Sequence, residues 1–190
     1  IAHYVRRNFV GAAESFAHAI EAAPDFAEAH ENLAQALLQM RRYGEAWAEY
    51  EWRWRNPSNA LTKRVFAEPL WDGKPLAGRT LLLHGEQGFG DTIQFARFAG
   101  RIDKAGGRIL LACQPALARL FAGLAGVDQV FAHSDALPPF DCQAPLLSLP
   151  RILGTEFETI PDPSPYLTAD PDSAILANDS QPGHVRIGIN

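Results

Sequence analysis

Phe9 and Tyr43, Ala12 and Ala46, and Phe16 and Tyr50 share one offset of 34 positions, and this regularity limits the fold more than any other feature of the chain. A fixed period of that length is the mark of a helical hairpin repeated and stacked on itself. Within one unit a small residue lets two helices approach. An aromatic residue four positions on fills the gap one turn later, and a proline ends the second helix. Ala12, Phe16, Ala19 and Pro24 occur in that order. The second unit runs from Ala27 through Asn32, Leu33 and Ala34 to Tyr43, Ala46 and Tyr50. It has Arg53 where a small residue is expected and Pro57 one place early, so it reads as a terminal unit. Stacked units need neighbours to bury their faces, and the array is expected to continue before Ile1.

The period is that of a tetratricopeptide repeat. Its outward face carries Glu28, Glu31 and Gln35, open to a protein partner or simply solvated. Trp47, Trp52 and Trp54 crowd the end of the last helix and Trp71 comes after them, and these are all four tryptophans of the chain. They read as a cap that glues the helices to the rest of the chain, the alternative being a platform for stacking carbohydrate.

From Trp71 the pattern changes. Asp72 to Pro75 is a turn, Arg79 to His84 a buried strand, and a helix from Asp91 carries Phe95, Phe98, Ala99 and Ile102 before Gly106 and Gly107 stop it. A strand from Arg108 to Ala112, a helix from Pro115 to Leu124 and a strand from Gln129 to Ala132 come next, and Phe140 to Leu149 reads as a further strand and short helix. Strand and helix in alternation mean a doubly wound parallel sheet of Rossmann-like type. The expected layout is helical repeats over 1–57, a linker over 58–78, the sheet domain over 79–168, and at 169–190 a second linker and the first strand, Val185 to Ile189, of another domain.

Composition narrows the function. At 190 residues, 47% hydrophobic and 21% charged, the chain is globular and holds one to two domains. A net charge of −5 with scattered Lys and Arg excludes a nucleic-acid footprint, which needs a concentrated basic face. Its apolar runs are far short of the ~20 residues that cross a bilayer, so a cytoplasmic protein without a transmembrane segment is expected. Cys113 and Cys142 stand alone and read as reduced core thiols, with no metal site.

Ligands of open parallel sheets bind at the carboxyl ends of the strands, which draws attention to the loop from His84 to Thr92. Gly88 and Gly90 permit a tight turn and close approach, and the helix after them offers unpaired N–H groups. Gly85, Gly90 and Thr92 fall at the spacing of a phosphate-binding P-loop. Its lysine position, however, is Asp91, whose charge repels phosphate, so nucleotide hydrolysis is excluded. Glycines at 85, 88 and 90 also miss the dinucleotide fingerprint. Two readings stand for Asp91: an N-cap with Gln94 completing a capping box, or a general base for an acceptor hydroxyl.

The block Leu81 to Phe98, with His84-Gly85-Glu86-Gln87-Gly88-Phe89-Gly90-Asp91-Thr92 at its centre, resembles the opening of the catalytic region in bacterial tetratricopeptide-containing glycosyltransferases, relatives of glycosyltransferase family 9, the heptosyltransferases. Tyr50 to Trp54, Trp71-Asp72-Gly73, Leu76 to Gly78, Pro145 to Pro150, Thr159 to Pro161 and Pro165 to Leu167 extend the resemblance over nearly the whole chain. It implies a GT-B enzyme without metal or cofactor, with a nucleotide-sugar donor held mostly by a second domain and the acceptor, protein or glycan, by the first. It carries the catalytic base onto Gly90-Asp91, and Glu86, Gln87, Gly88, Gly90 and Gln94 become acceptor-loop contacts, the other reading of Glu86, Gln87 and Gln94 being plain solvation. Because the family continues past Val185 to Ile189, the chain is expected to lack the donor site and to be inactive alone. The competing reading is a non-catalytic repeat scaffold whose Rossmann-like domain is only a packing partner.

Overall fold

A computed structural model describes residues 2–57, 64–162 and 165–168, which form a run of helices followed by a four-stranded parallel sheet. The helices are α1 (Ala2–Val5), α2 (Phe9–Ala22), α3 (Ala27–Gln39) and α4 (Tyr43–Tyr50), the last tightening into a 3-10 turn over Glu51–Trp54. Helices α2 and α4 start 34 residues apart, and the backbone keeps the same step. Arg7 and Arg41, each two residues ahead of a helix, have φ of 58° and 59°. This left-handed region costs a non-glycine residue about 1 kcal/mol, and the turn geometry imposes it twice. Asn8 caps α2 by accepting the Gly11 N–H at 3.0 Å. Ala12 and Ala13 pack with Phe16 against Ala36 of α3, where small side chains let the helices close on each other.

The sheet is built from four strands: β1 (Thr80–His84), β2 (Arg108–Cys113), β3 (Gln129–Ala132) and β4 (Cys142–Pro145). All pair in parallel in the order β3-β2-β1-β4, with Leu82 between Leu110 and Gln143. Both faces of β1 are covered, which is why it reads as an unbroken run, and Leu81, Leu82 and Leu83 are each 0% exposed. Leu81 and Leu83 face α5 (Phe89–Ala96) with Phe95 and Phe98. Leu82 faces the other way with Leu110 and Ala112, under Phe66 and Phe140.

Two helices are shorter than the sequence predicts. α5 starts at Phe89 and gives way after Ala96 to a 3-10 turn over Arg97–Arg101, and α6 (Pro115–Ala118) dissolves into turns. Phe95 and Phe98, like Ala99 and Ile102, are three apart, a spacing that satisfies a 3-10 turn as well as an α-helix, so the apolar pattern could not separate them. Gly123 and Gly126, at φ of 90° and 88°, end the other segment while Leu117, Phe121 and Leu124 stay buried. The fourth strand leads into a 3-10 turn over Leu146–Ser148 and then α7 (Leu149–Ile152). Cys113 and Cys142 are free and buried in the core.

Residues 64–78, read from the sequence as linker, reach the sheet body: Trp71 is 3% and Leu76 0% exposed, and the Trp71 N–H donates to the Gln143 carbonyl at 2.8 Å. Trp47 of α4 enters the same core, edge-on to Phe95, and its Nε1–H donates to the Thr155 carbonyl at 3.1 Å. Trp52 instead stacks on His30 with centroids 3.7 Å apart. No helix among the described residues is long and apolar enough to cross a membrane. The strand expected at 185–189, with all of 169–190, lies outside the described residues.

Replacing Trp47 by Ala empties a buried site shared by both layers and removes the partner of the Thr155 carbonyl. A loss of about 3–5 kcal/mol in urea unfolding is expected. A change below about 1 kcal/mol, the size of a typical surface substitution, would show that the indole does not join the layers.

Candidate functional site

Between β1 and β4 the strand order reverses: β2 and β3 lie to one side of β1, and β4 lies to the other. Chains leaving the carboxyl ends of β1 and β4 therefore diverge and leave a crevice, the usual ligand position in such sheets. The loop after β1 carries Gly85 to Gly88, and the turn after β4 carries Ser148.

Arg53 fills the base of that crevice. It is 1% exposed and comes from the 3-10 turn after α4. Its Nε donates to Glu86 Oε1 at 3.0 Å, and Nη2 lies 2.9 Å from the same oxygen and donates to Ser148 Oγ at 2.7 Å. Nη1 donates to Glu51 Oε1 at 2.9 Å and to the Tyr50 carbonyl at 3.2 Å. The rings of Tyr50 and Trp54 lie 5.0 and 4.7 Å from the guanidinium carbon. A long cation thus reaches out of the helices to both loops.

Glu86 is consequently not a solvated loop residue. It is 5% exposed, and its Oε2 is buried with no hydrogen-bond partner among the described residues. Burial pushes its carboxyl up to about 7, against the pull of Arg53. His84, the last residue of β1, is also buried, and desolvation holds its imidazole down to about 4 although Gln143 Oε1 lies 2.9 Å from Nε2.

The loop above this pair is held from three elements. Gln114 Nε2 donates to the Gln87 carbonyl at 2.7 Å, and Gln87 Nε2 reaches the Tyr50 hydroxyl at 3.4 Å. Buried Thr92 donates through Oγ1 to the Gly88 carbonyl at 3.1 Å. Burial, helped by the charges of Asp91 and Glu86, keeps the Tyr50 hydroxyl above its ordinary pKa and so protonated.

Asp91 is not the N-cap. Helix α5 begins two residues earlier, Gly88 takes the cap position in extended geometry, and Asp91 becomes the third helical residue. Its Oδ2 accepts the Gly88 N–H at 3.2 Å, the half of a capping box that reaches back from inside the helix, and Gln94 has no part in it. The charge also lies where the first turn's unpaired N–H groups favour an anion. Asp91 is half-buried, and among the described residues its Oδ1 is left for another partner.

The glycines of the loop correct a second expectation. Neither Gly88 nor Gly90 has positive φ, so the turn does not demand them. A Cβ on Gly90 would meet nothing within 4 Å, and one on Gly88 only Asp91 Oδ2 at 3.5 Å. Both are exposed, and what their bareness provides is open backbone next to Asp91. Gly85 is different, since a Cβ there would stand 3.0 Å from Thr92 Oγ1.

A groove of about 370 Å³ runs between the helices and α5, past Gln35, Tyr43, Trp47, Tyr50, Gln94 and Arg97. Gln94 is exposed and lies about one turn beyond Asp91 in α5, and Asp91 itself does not line the groove. Of the outward residues read from the sequence, Glu28 and Gln35 are exposed, whereas Glu31 is half-buried and accepts from Asn56 Nδ2 at 2.6 Å. Among the described residues no three His, Cys, Asp or Glu side chains gather to hold a metal ion. The sequence reading missed Arg53, Tyr50, Gln114 and Ser148. Arg53 left a signal by departing from the small-residue pattern, and Tyr50 and Ser148 lie in segments that carry the resemblance, but Gln114 left none.

No protein-family model and no solved structure matches the chain. Protein FlbA of Caulobacter vibrioides (strain ATCC 19089 / CIP 103742 / CB 15) is 33% identical to it over 103 residues, which is 53% of this chain and 17% of FlbA. The chain thus spans a small part of the length of the curated relative it matches.

Glu86 and His84 give a pH test. Between about 4.5, the ordinary carboxyl value, and 7, the unfolded chain releases the Glu86 proton while the folded chain keeps it, so this group lowers stability as pH rises. His84 acts oppositely: its contribution is complete above its ordinary 6.5 and is lost as pH falls toward 4. Glu86→Gln leaves His84 unopposed, and the melting temperature is expected to fall more steeply from pH 7 to 4.5 than in the parent. Equal slopes would rule out this opposition.

Proposed function

We propose that the chain is the acceptor-side part of a glycosyltransferase, moving a sugar from a nucleotide-sugar donor to an acceptor hydroxyl, with Asp91 as general base. The observation that carries this reading is the setting of Asp91: a half-buried carboxylate in the first turn of α5, beside the crevice where the strand order reverses, with one oxygen anchored by Gly88 and the other left for a proton. A base of this kind takes the acceptor proton as the oxygen attacks and the sugar–phosphate bond breaks, an effect worth about 10²–10⁴-fold in rate. The exposed backbone at Gly88 and Gly90 lets a substrate come close, and Gln87 and Gln94 flank the approach. Glu86 serves from beneath, through Arg53, rather than by touching the acceptor.

In this reading the helices are tetratricopeptide repeats, the sheet is the first half of a GT-B fold, and the groove past Tyr43, Tyr50 and Gln94 receives the acceptor, protein or glycan. The donor is held by residues outside those described. The resemblance of the block Leu81 to Phe98 to the heptosyltransferase relatives supports the same assignment.

Two substitutions test it in the full-length protein supplied with a panel of nucleotide sugars and cell extract as acceptor source, with release of nucleoside diphosphate as the readout. Asp91→Asn keeps an acceptor for the Gly88 N–H, so its stability is expected to stay within about 1 kcal/mol of the parent while turnover falls at least about 100-fold. Gly90→Ala is expected to hold or raise stability by about 0.5–1 kcal/mol, because alanine suits a helix better, and yet to weaken turnover by crowding the approach. Full activity in Asp91→Asn would remove Asp91 as the base, and absence of turnover in the parent would leave the rival reading, a non-catalytic repeat scaffold.

A further inference from the structure

We infer that Arg53 is the positioning residue for Asp91: a single guanidinium, buried where the strand order reverses, fixes the loops after β1 and β4 and so sets where the Asp91 carboxylate stands. The inference rests on Asp91 being the base, and it adds a link from the helical layer to that base.

The connection can be followed atom by atom. Arg53 holds Glu86 Oε1 through Nε and Nη2, and Nη2 also holds Ser148 Oγ, so the two sides of the crevice share one cation. Two peptide units beyond Glu86 is Gly88, whose N–H is the anchor of Asp91 Oδ2. Tyr50, whose carbonyl accepts from Arg53 Nη1, presents its hydroxyl to Gln87 Nε2 in between. Gln114 and Thr92 hold the same loop from the sheet and from α5, so its chain path does not depend on Arg53 alone. Its fine placement does. Without the guanidinium, Glu86 is a buried carboxyl with neither oxygen paired among the described residues; it has to hold a proton or turn toward solvent, and either way Gly85 to Gly88 lose the contact that ties them to the helical layer.

A purely structural role would act through stability, and removing both members of a buried pair separates the two cases, because an apolar replacement of both is tolerated where loss of one is not. In the full-length protein, Arg53→Met should lower the melting temperature, and Arg53→Met with Glu86→Leu should recover it. Positioning predicts that kcat nevertheless stays down about 100-fold in the double variant, the effect of a displacement near 1 Å, while the donor KM moves less than about threefold. It also predicts that the amides of Gln87 to Thr92 exchange about tenfold faster in the double variant, since their local opening becomes easier. Arg53→Lys, which keeps the charge but cannot span Glu86 and Ser148, should show the same changes to a lesser degree and serves if the others fail to fold.

Recovery of kcat together with the melting temperature, or parent-like exchange at Gln87 to Thr92, overturns the inference. If the parent protein moves no sugar, the transferase reading fails by itself, and the exchange rates still decide whether Arg53 fixes this loop.

Discussion

A buried guanidinium is expensive unless its donors are used, and Arg53 uses all three of its nitrogens on groups from separate parts of the chain. Two aromatic rings shield it from the side, and Glu51, Glu86, Ser148 and the Tyr50 carbonyl complete its surroundings. An ion pair of this kind contributes little net stability compared with an apolar filling, but it accepts only one arrangement of its partners. Here the arrangement it accepts brings the last helical turn, the loop after β1 and the turn after β4 to a common point. The crevice that a parallel sheet leaves between diverging chains is thereby floored by the protein's own charge, and the loop over it is held at a defined height.

The same burial that makes the pair selective makes its acid member weak. Glu86 has one oxygen on Arg53 and one with no partner among the described residues, and desolvation outweighs the cation. Close by, at the end of β1, His84 is displaced in the opposite sense by the same cause. Two ionisable groups at and just past the end of the central strand are thus both held toward their neutral forms.

Much of this was legible in the residues. The period of 34 placed α2 and α4, the unbroken run Leu81 to Leu83 announced a strand buried on both faces, and the alternation of elements implied a parallel sheet. Tertiary context decided the rest. The start of α5 moved because Gly88 could supply an extended cap while Asp91 reached back from inside the helix, a choice that local propensity leaves open. The 3-10 turn after Ala96 escaped notice because its apolar spacing fits either helix. Glu86 read as an acceptor contact or a solvated loop residue because its partner lies 33 positions earlier, in a layer whose docking no local pattern encodes. Arg53 drew notice by departing from the small residue expected 34 positions after Ala19, and its partners could not be read from that departure.

Trp47 belongs to α4 by sequence and to the sheet's core by packing, with its N–H bonded to a carbonyl beyond α7. An indole set this way works like a key in a shaft. Twisting or bending the helices against the sheet would have to withdraw it from that core and break its bond to the Thr155 carbonyl.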